Sequence, residues 1–276
     1  AAADDVFAGR AVLLRLRGNR DIVERSGDVA QFAYIGTDAS RANSRAAAWQ
    51  RLHMKLAHAR TPPGHADDPT DDDIALHAVA TGAAPLAIVA DRESDIREAI
   101  ALARIRDLRV VVVGGAEAWR LAPELAAAGI PVVLDPLEAL PANYGKLGAR
   151  HDNAALLHQA GVTIAFTASA QGIYTSWNAG PSLRHAAGLA AAHGLPDAIA
   201  LAAITQAPAR IWGFGDRIGT LAPGAEADLV LWDGDPLEPS TAPVMVFVAG
   251  EGIPLRTRQS LLRDRYMPRP ATNTAP

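Results

Sequence analysis

Cysteine is absent from this 276-residue chain. That one absence excludes disulfides, thiolate nucleophiles and Cys-ligated zinc together. Lysine is nearly absent as well: Lys55 and Lys146 are the only lysines among 26 basic residues. With abundant alanine beside it, that scarcity reads as base-composition bias of the coding sequence. No run of Lys and Arg interleaves with aromatics, and the net charge is −4, which argues against nucleic acid or an anionic membrane surface as partner. Apolar runs are short too; none reaches the roughly 18 residues of a membrane span. The opening AAADDVFAGRAVLL lacks a basic region followed by an apolar core, so no intact signal peptide is expected. Cytoplasm and bacterial periplasm both suit a cysteine-free chain. Ala1 in place of Met fits a processed chain or an excised fragment.

What is present supports a large core: 49% of residues are apolar and 20% charged. Up to about Thr81 the pattern is mixed. Ala11–Gly18 and Val29–Gly36 have strand character, and Ser40–Ala59 predicts a helix with Ser40 as its cap. The loop TPPGHADDPTDDD, Thr61–Asp73, carries its acids towards a helix start near Ile74.

From Pro85 the organisation becomes regular. LAIVAD (Leu86–Asp91), RVVVVGG (Arg109–Gly115), IPVVLDP (Ile130–Pro136) and VTIAF (Val162–Phe166) are apolar on both faces. Amphipathic stretches separate them, the clearest being SDIREAIALARIRD with Ile96, Ala99, Ile100 and Ala103 on one face. Further helices are predicted over Ser182–His193, Asp197–Thr205 and Pro208–Trp212, the last stopped by Gly213. Doubly apolar strands alternating with such helices mean a parallel sheet covered by helices. Four units are visible, half of a (β/α)8 barrel. After Asp216 short strands at Leu229–Trp232 and Val244–Val248 lie between turn signals, a small β unit. The predicted organisation is a divergent α+β segment over 1–84, a barrel half over 85–215, and a small β domain with a tail over 216–276.

At GDRIGTLAPGAEADLVLWDGDPL (Gly215–Leu237) the chain resembles the amidohydrolase superfamily. AAITQAPARIWG is similar to its Thr-x-Asn-Pro-Ala helix signature, with Ala207 where Asn is usual. Pro85–Trp119 resembles the fifth and sixth strands of the imidazolonepropionase-like branch, and His151–Phe166 the helix and eighth strand. The resemblance covers Pro85 to about Pro254. It implies the C-terminal half of a TIM-like, metal-dependent hydrolase barrel plus a β-sandwich appendage, with N-terminal strands absent or divergent. It also implies hydrolysis of C–N bonds in amides, cyclic amides or dipeptides, by a water activated on one or two divalent metals.

The ligands that the resemblance implies are a His-x-His after strand one, whose strand is absent or divergent here, and three later positions: a His on strand five, a His on strand six and an Asp on strand eight. Those three later positions fall at Val89, Gly114 and Ser169. The eight histidines (53, 58, 65, 77, 151, 158, 185 and 193) contain no His-x-His. Val has no lone pair, Gly no side chain, and neutral Ser is a poor zinc ligand. No cofactor is therefore expected, and the predicted state is a non-catalytic homologue. Its partners would be a small molecule or a homologous amidohydrolase subunit. The alternative is an active hydrolase with a non-standard site, holding zinc and using Asp91, Asp135 and residues upstream of this chain.

Each remaining candidate has a plainer reading beside it. Asp91 and Asp135 end their strands at one rim and could form a carboxylate pair or hold a cation; as structural acids they would cap the next helix or pair with Arg92. Ser169 is a nucleophile or a small packed residue, with no His placed to activate it. Asp152 reads as a helix cap or first-turn acid, and His193 as a C-terminal helix residue that could share a face with His185. Tyr174, Trp177 and Asn178 in IYTSWNAG either contact a ligand or close the barrel top. The Gly114–Glu117 turn lacks the spacing of a phosphate loop.

Overall fold

The long apolar runs lie side by side as consecutive strands. In a computed structural model that describes residues 6–16, 23–35, 44–60, 71–168 and 179–267, six strands form one sheet in the order β1 to β6. They are β1 (Phe7–Leu16), β2 (Val23–Tyr34), β3 (Leu86–Ala90), β4 (Val110–Gly114), β5 (Val132–Leu134) and β6 (Ile164–Phe166). β1 is antiparallel to β2, and every later neighbour is parallel. The sheet curls into half of a TIM-like barrel.

The register explains the apolar runs. Val89 pairs with Val113, Val113 with Val133, and Val133 with Ala165. Those residues share one face, and the residues between them face the other way, so each strand needs apolar chains on both sides. On one face Val111, Val133 and Ala165 pack with Ile211, and Val113, Ala207 and Trp212 adjoin them. The Trp212 indole stacks on Phe32 of β2, ring centroids 6.3 Å apart. Phe32 pairs with Ala87, and Ala87 with Val111, so Trp212 packs on the sheet face that Val111 shares with Phe32.

Crossover helices carry their predicted apolar faces inward. α1 (Arg45–His58) starts at Ser44, whose Oγ accepts from the Ala47 amide at 3.1 Å; Ser40 lies outside the described residues. α2 (Asp71–Ala80) begins within the acidic run, just ahead of the expected start near Ile74. α3 (Glu93–Arg106) packs on β3 and β4 and buries Ile96, Ala99, Ile100 and Ala103. It ends at Asp107 in the left-handed region, φ 54°. Its buried Asp95 accepts from the Trp49 indole at 3.2 Å and faces Arg45 at 3.4 Å, so the buried charge is paired and α1 is tied to α3.

After β4 come a 3-10 turn at Ala118–Leu121 and α4 (Ala122–Ala127). α5 (Asn153–Gln159) precedes β6. α6 (Ala179–Ala192), α7 (Asp197–Ala203) and α8 (Gln206–Ile211) then follow in sequence. Gly213, φ 84°, ends the last of these. Gly219 of the resemblance motif is required sterically: at φ 89°, an added Cβ would stand 2.7 Å from the Thr205 carbonyl oxygen.

Chain contacts divide the protein into Ala1–Thr220 and Leu221–Pro276. The second unit is an antiparallel sheet of β7 (Leu229–Trp232), β8 (Pro243–Val248) and β9 (Glu251–Ile253). Ala249 and Gly250, both at positive φ (52° and 82°), make the two-residue β8–β9 turn. α9 (Arg258–Tyr266) carries a capping box between Thr257 and Ser260 and buries no residue.

Candidate functional site

In a parallel barrel the chemistry sits at the carboxyl ends of the strands. Here that rim receives Asp91 after β3, Gly114 to Glu117 after β4, and Asp135 after β5. The segment from Asp135 to Asp152 then returns across it before α5 begins.

Asp91 is the most engaged of these acids. Its Oδ1 accepts from the Ala116 amide at 3.2 Å, and its Oδ2 lies 4.0 Å from the Lys146 ammonium. Burial pushes its pKa above the usual carboxylate range, with Glu138 and Glu117 adding to the rise, although Lys146 and the Ala116 N–H pull the other way. Arg92, expected as a partner for Asp91, donates instead to the Tyr144 carbonyl at 2.9 Å. Asp135 caps the 3-10 turn Pro136–Glu138, accepting from the Leu137 amide at 3.0 Å. Asp135 serves the turn that follows it, whereas Asp91 neither caps α3 nor pairs with Arg92 and instead accepts from the turn after β4; the charges of both acids reach Lys146.

Lys146 was not singled out as a site residue by its sequence pattern. Its ammonium contacts Glu138 directly and faces Asp91, with its side chain only 16% exposed. Burial lowers its pKa, but Glu138, Asp91 and Asp135 outweigh that and hold it above the ordinary lysine range. The one available signal was its rarity, one of two lysines in an arginine-rich chain.

The loop that carries Lys146 is pinned at several points. Trp119 donates its indole N–H to the Gly148 carbonyl at 2.9 Å. Arg120 and Arg150 both lie over the Trp119 ring, 4.8 and 4.6 Å from its centroid. Gly148 approaches Glu117 so closely that an added Cβ would stand 2.6 Å from the Glu117 Cγ. Glu117 in turn accepts from the Glu93 amide at 2.8 Å, which fixes the start of α3.

Asp152 sits at the α5 cap position without making a cap bond; its carboxylate binds Arg150 in a two-pronged contact, one arm at 2.6 Å. That pairing holds the Asp152 pKa below the usual range. His193 donates from Nδ1 to the Leu189 carbonyl at 2.8 Å, and its ring stacks on His151 with centroids 4.5 Å apart. His193 therefore meets His151, a partner that helical spacing could not reveal.

A cavity of about 40 Å³ lies under the loop, lined by Asp135, Glu138, Lys146, Arg150, His151 and Asn153 among others. Asn153 is buried and donates to the Gly115 carbonyl at 2.9 Å; its Oδ1 has no partner among the described residues.

Val89 and Gly114 fall on β3 and β4 as aligned above. Gly114 has φ 94°, and an added Cβ would stand 2.6 Å from Asp91 Oδ1. The backbone there disfavours any side chain, and the Asp91 carboxylate already occupies the direction one would take. Among the described residues no three His, Asp or Glu side chains converge as a metal shell requires. Ser169, Tyr174, Trp177 and Asn178 lie outside the described residues.

Comparison with known proteins places this geometry. The model of the amidohydrolase family matches residues 66–257, more than half of the chain. A 58-residue stretch is 48% identical to amidohydrolase tasK of Hapsidospora irregularis; it covers 21% of this chain and only 6% of that protein. The crystal structure of an amidohydrolase from Thermotoga maritima MSB8 superposes with a TM-score of 0.80 at 22% identity, covering 92% of this chain and 70% of that one. At that identity the superposition shows a shared fold.

Proposed function

The chain belongs to the amidohydrolase family, and from that premise we propose that it is a non-catalytic homologue, its barrel serving as a small-molecule binder or as the partner subunit of an active relative. The observation that carries this reading is Gly114. By resemblance it stands where the family places a metal-binding His, yet it offers no donor, and Asp91 fills the space beside it. Val89, the other described ligand position, has no lone pair. Among the described residues these two positions offer zinc no donor.

The competing reading is hydrolysis through Asp91 and Asp135. It has one point in its favour, the raised pKa of Asp91, as a general acid requires. Against it, the same carboxylate is held by a backbone amide and faces Lys146, and Asp135 is committed to a turn.

Metal analysis of the full-length protein, with turnover assays on N-acyl amino acids, cyclic amides and dipeptides, tests the proposal. Absence of both tight zinc and turnover is expected, and co-purification with a metal-containing homologue would favour the subunit role. About one equivalent of tightly held zinc together with turnover would overturn the reading.

A further inference from the structure

The rim of the barrel holds a cation of its own. The Lys146 ammonium sits against Glu138, faces Asp91, and lines the same cavity as Asp135 and Asn153. An alkylammonium offers three N–H donors and no acceptor, so a pocket for it needs two or three converging oxygens and compensating negative charge. Both are present. Glu138 and Asp91 supply the oxygens and the charge at the ammonium, and Asn153, which lines the same cavity, has a buried Oδ1 with no partner among the described residues. A divalent metal asks for more convergence than this, since no three acidic or imidazole side chains meet at one point among the described residues. Arg150, which also lines the cavity, is paired with Asp152, so the acids beside Lys146 suit an organic cation.

We propose that this strand-end pocket is a recognition site for a primary ammonium group, occupied in cis by Lys146. The proposal deepens the small-molecule reading above: a ligand of the barrel mouth would carry a primary amine and displace the lysine from its carboxylates. Lys146 is placed to yield. It lies in the segment between β5 and α5, and that segment's other attachments, Arg92 to Tyr144 and Trp119 to Gly148, do not depend on it.

Chemical rescue tests this without knowledge of any natural ligand. Lys146→Ala removes the tethered ammonium and leaves the acceptors, so ethylammonium chloride, added at concentrations saturating a weak site, should raise the thermal midpoint of the variant by about 2–4 °C. Potassium chloride of equal ionic strength should not do so. The wild-type midpoint should move far less, and Asp91→Asn in the Lys146→Ala background should abolish the rescue. Lys146→Met, which keeps the bulk and removes the charge, leaves no room for ethylammonium and should not respond. If ethylammonium fails to raise the Lys146→Ala midpoint, or to recover that variant should it fold poorly, the proposal is overturned. A response matched by potassium or tetramethylammonium overturns it too, since neither donates a hydrogen bond. None of these outcomes touches zinc content or turnover, so the non-catalytic reading stands or falls separately.

Discussion

Substituting Gly114 by alanine isolates the steric and conformational demand at the site where the family resemblance expects a ligand. Two costs add. At φ 94° an L-residue is strained, which typically costs about 1–3 kcal/mol. The new Cβ would also meet Asp91 Oδ1 at 2.6 Å. That oxygen is the end of a side chain and can move, but moving it breaks the bond from the Ala116 amide. Stranding a partly buried N–H costs about 1–3 kcal/mol. Gly114→Ala should therefore lower stability by about 2–6 kcal/mol, measured by urea unfolding followed through tryptophan fluorescence. A double-mutant cycle separates the two parts. With Asp91→Ala in the background the collision is gone, and Gly114→Ala should cost only the backbone share. The coupling between the two sites should then fall at about 1–3 kcal/mol. A Gly114→Ala effect within about 0.5 kcal/mol of zero, the range of ordinary surface changes, would refute the claim that this position has no room for a side chain. Gly114→His meets the same two obstacles and is expected to destabilise the protein without restoring zinc binding.

Asp91 also sets a pH dependence whose sign follows from its raised pKa. A carboxyl with a higher pKa folded than unfolded adds stability below its unfolded value, about 3.8 to 4, and loses that contribution as pH rises through the folded value. Lys146, Glu138 and Glu117 are the charged groups that face it. The stability of wild type relative to Asp91→Asn should thus fall as pH is raised from about 4 towards neutrality, in urea midpoints taken across that range; a relative rise would contradict the burial of Asp91. Trp119→Leu removes the bond to Gly148 and the ring beneath Arg120 and Arg150. One hydrogen bond and two partly exposed cation–π contacts sum to about 1.5–3.5 kcal/mol. Cleavage between Leu140 and Arg150 in limited proteolysis should accelerate in step, and an unchanged cleavage rate would show that the indole does not pin this loop.

What the sequence made legible is what burial on both faces writes into a strand. β3, β4, β5 and β6 were found because Leu86–Ala90, Val110–Gly114, Val132–Leu134 and Ile164–Phe166 are uninterrupted apolar runs between helical periods. The strand character of Ala11–Gly18 and Val29–Gly36 was visible too, but not that β2 joins β3 in parallel and extends the same sheet. Parallel pairing across more than fifty intervening residues leaves no local signal. α9 escaped notice because it has no apolar stripe; its helical signature is the Thr257–Ser260 box, and none of its residues is buried. At the rim, Asp91 and Asp135 were picked out because they follow apolar strands. Their counter-ion was not, because the loop that returns Lys146 to the strand ends is made of turn residues whose path no periodicity describes.

That contrast has a physical origin, and it bears on how such a barrel can exchange its chemistry. Leu86, Ile88 and Val112 are fully buried within the strands, and truncating a chain of that kind to alanine typically costs about 2–5 kcal/mol. None of them reaches the rim. The groups that do, Asp91, Glu117, Asp135, Glu138 and Lys146, make their bonds to turn amides and to one another. Their identities are set by local acceptors and charge balance, and the sheet beneath them does not depend on which chemistry they serve. On the proposed reading, a rim position can become glycine without loss of the fold, provided a neighbouring carboxylate fills the volume beside it and finds a cation. In this chain the neighbour is Asp91 and the cation is Lys146.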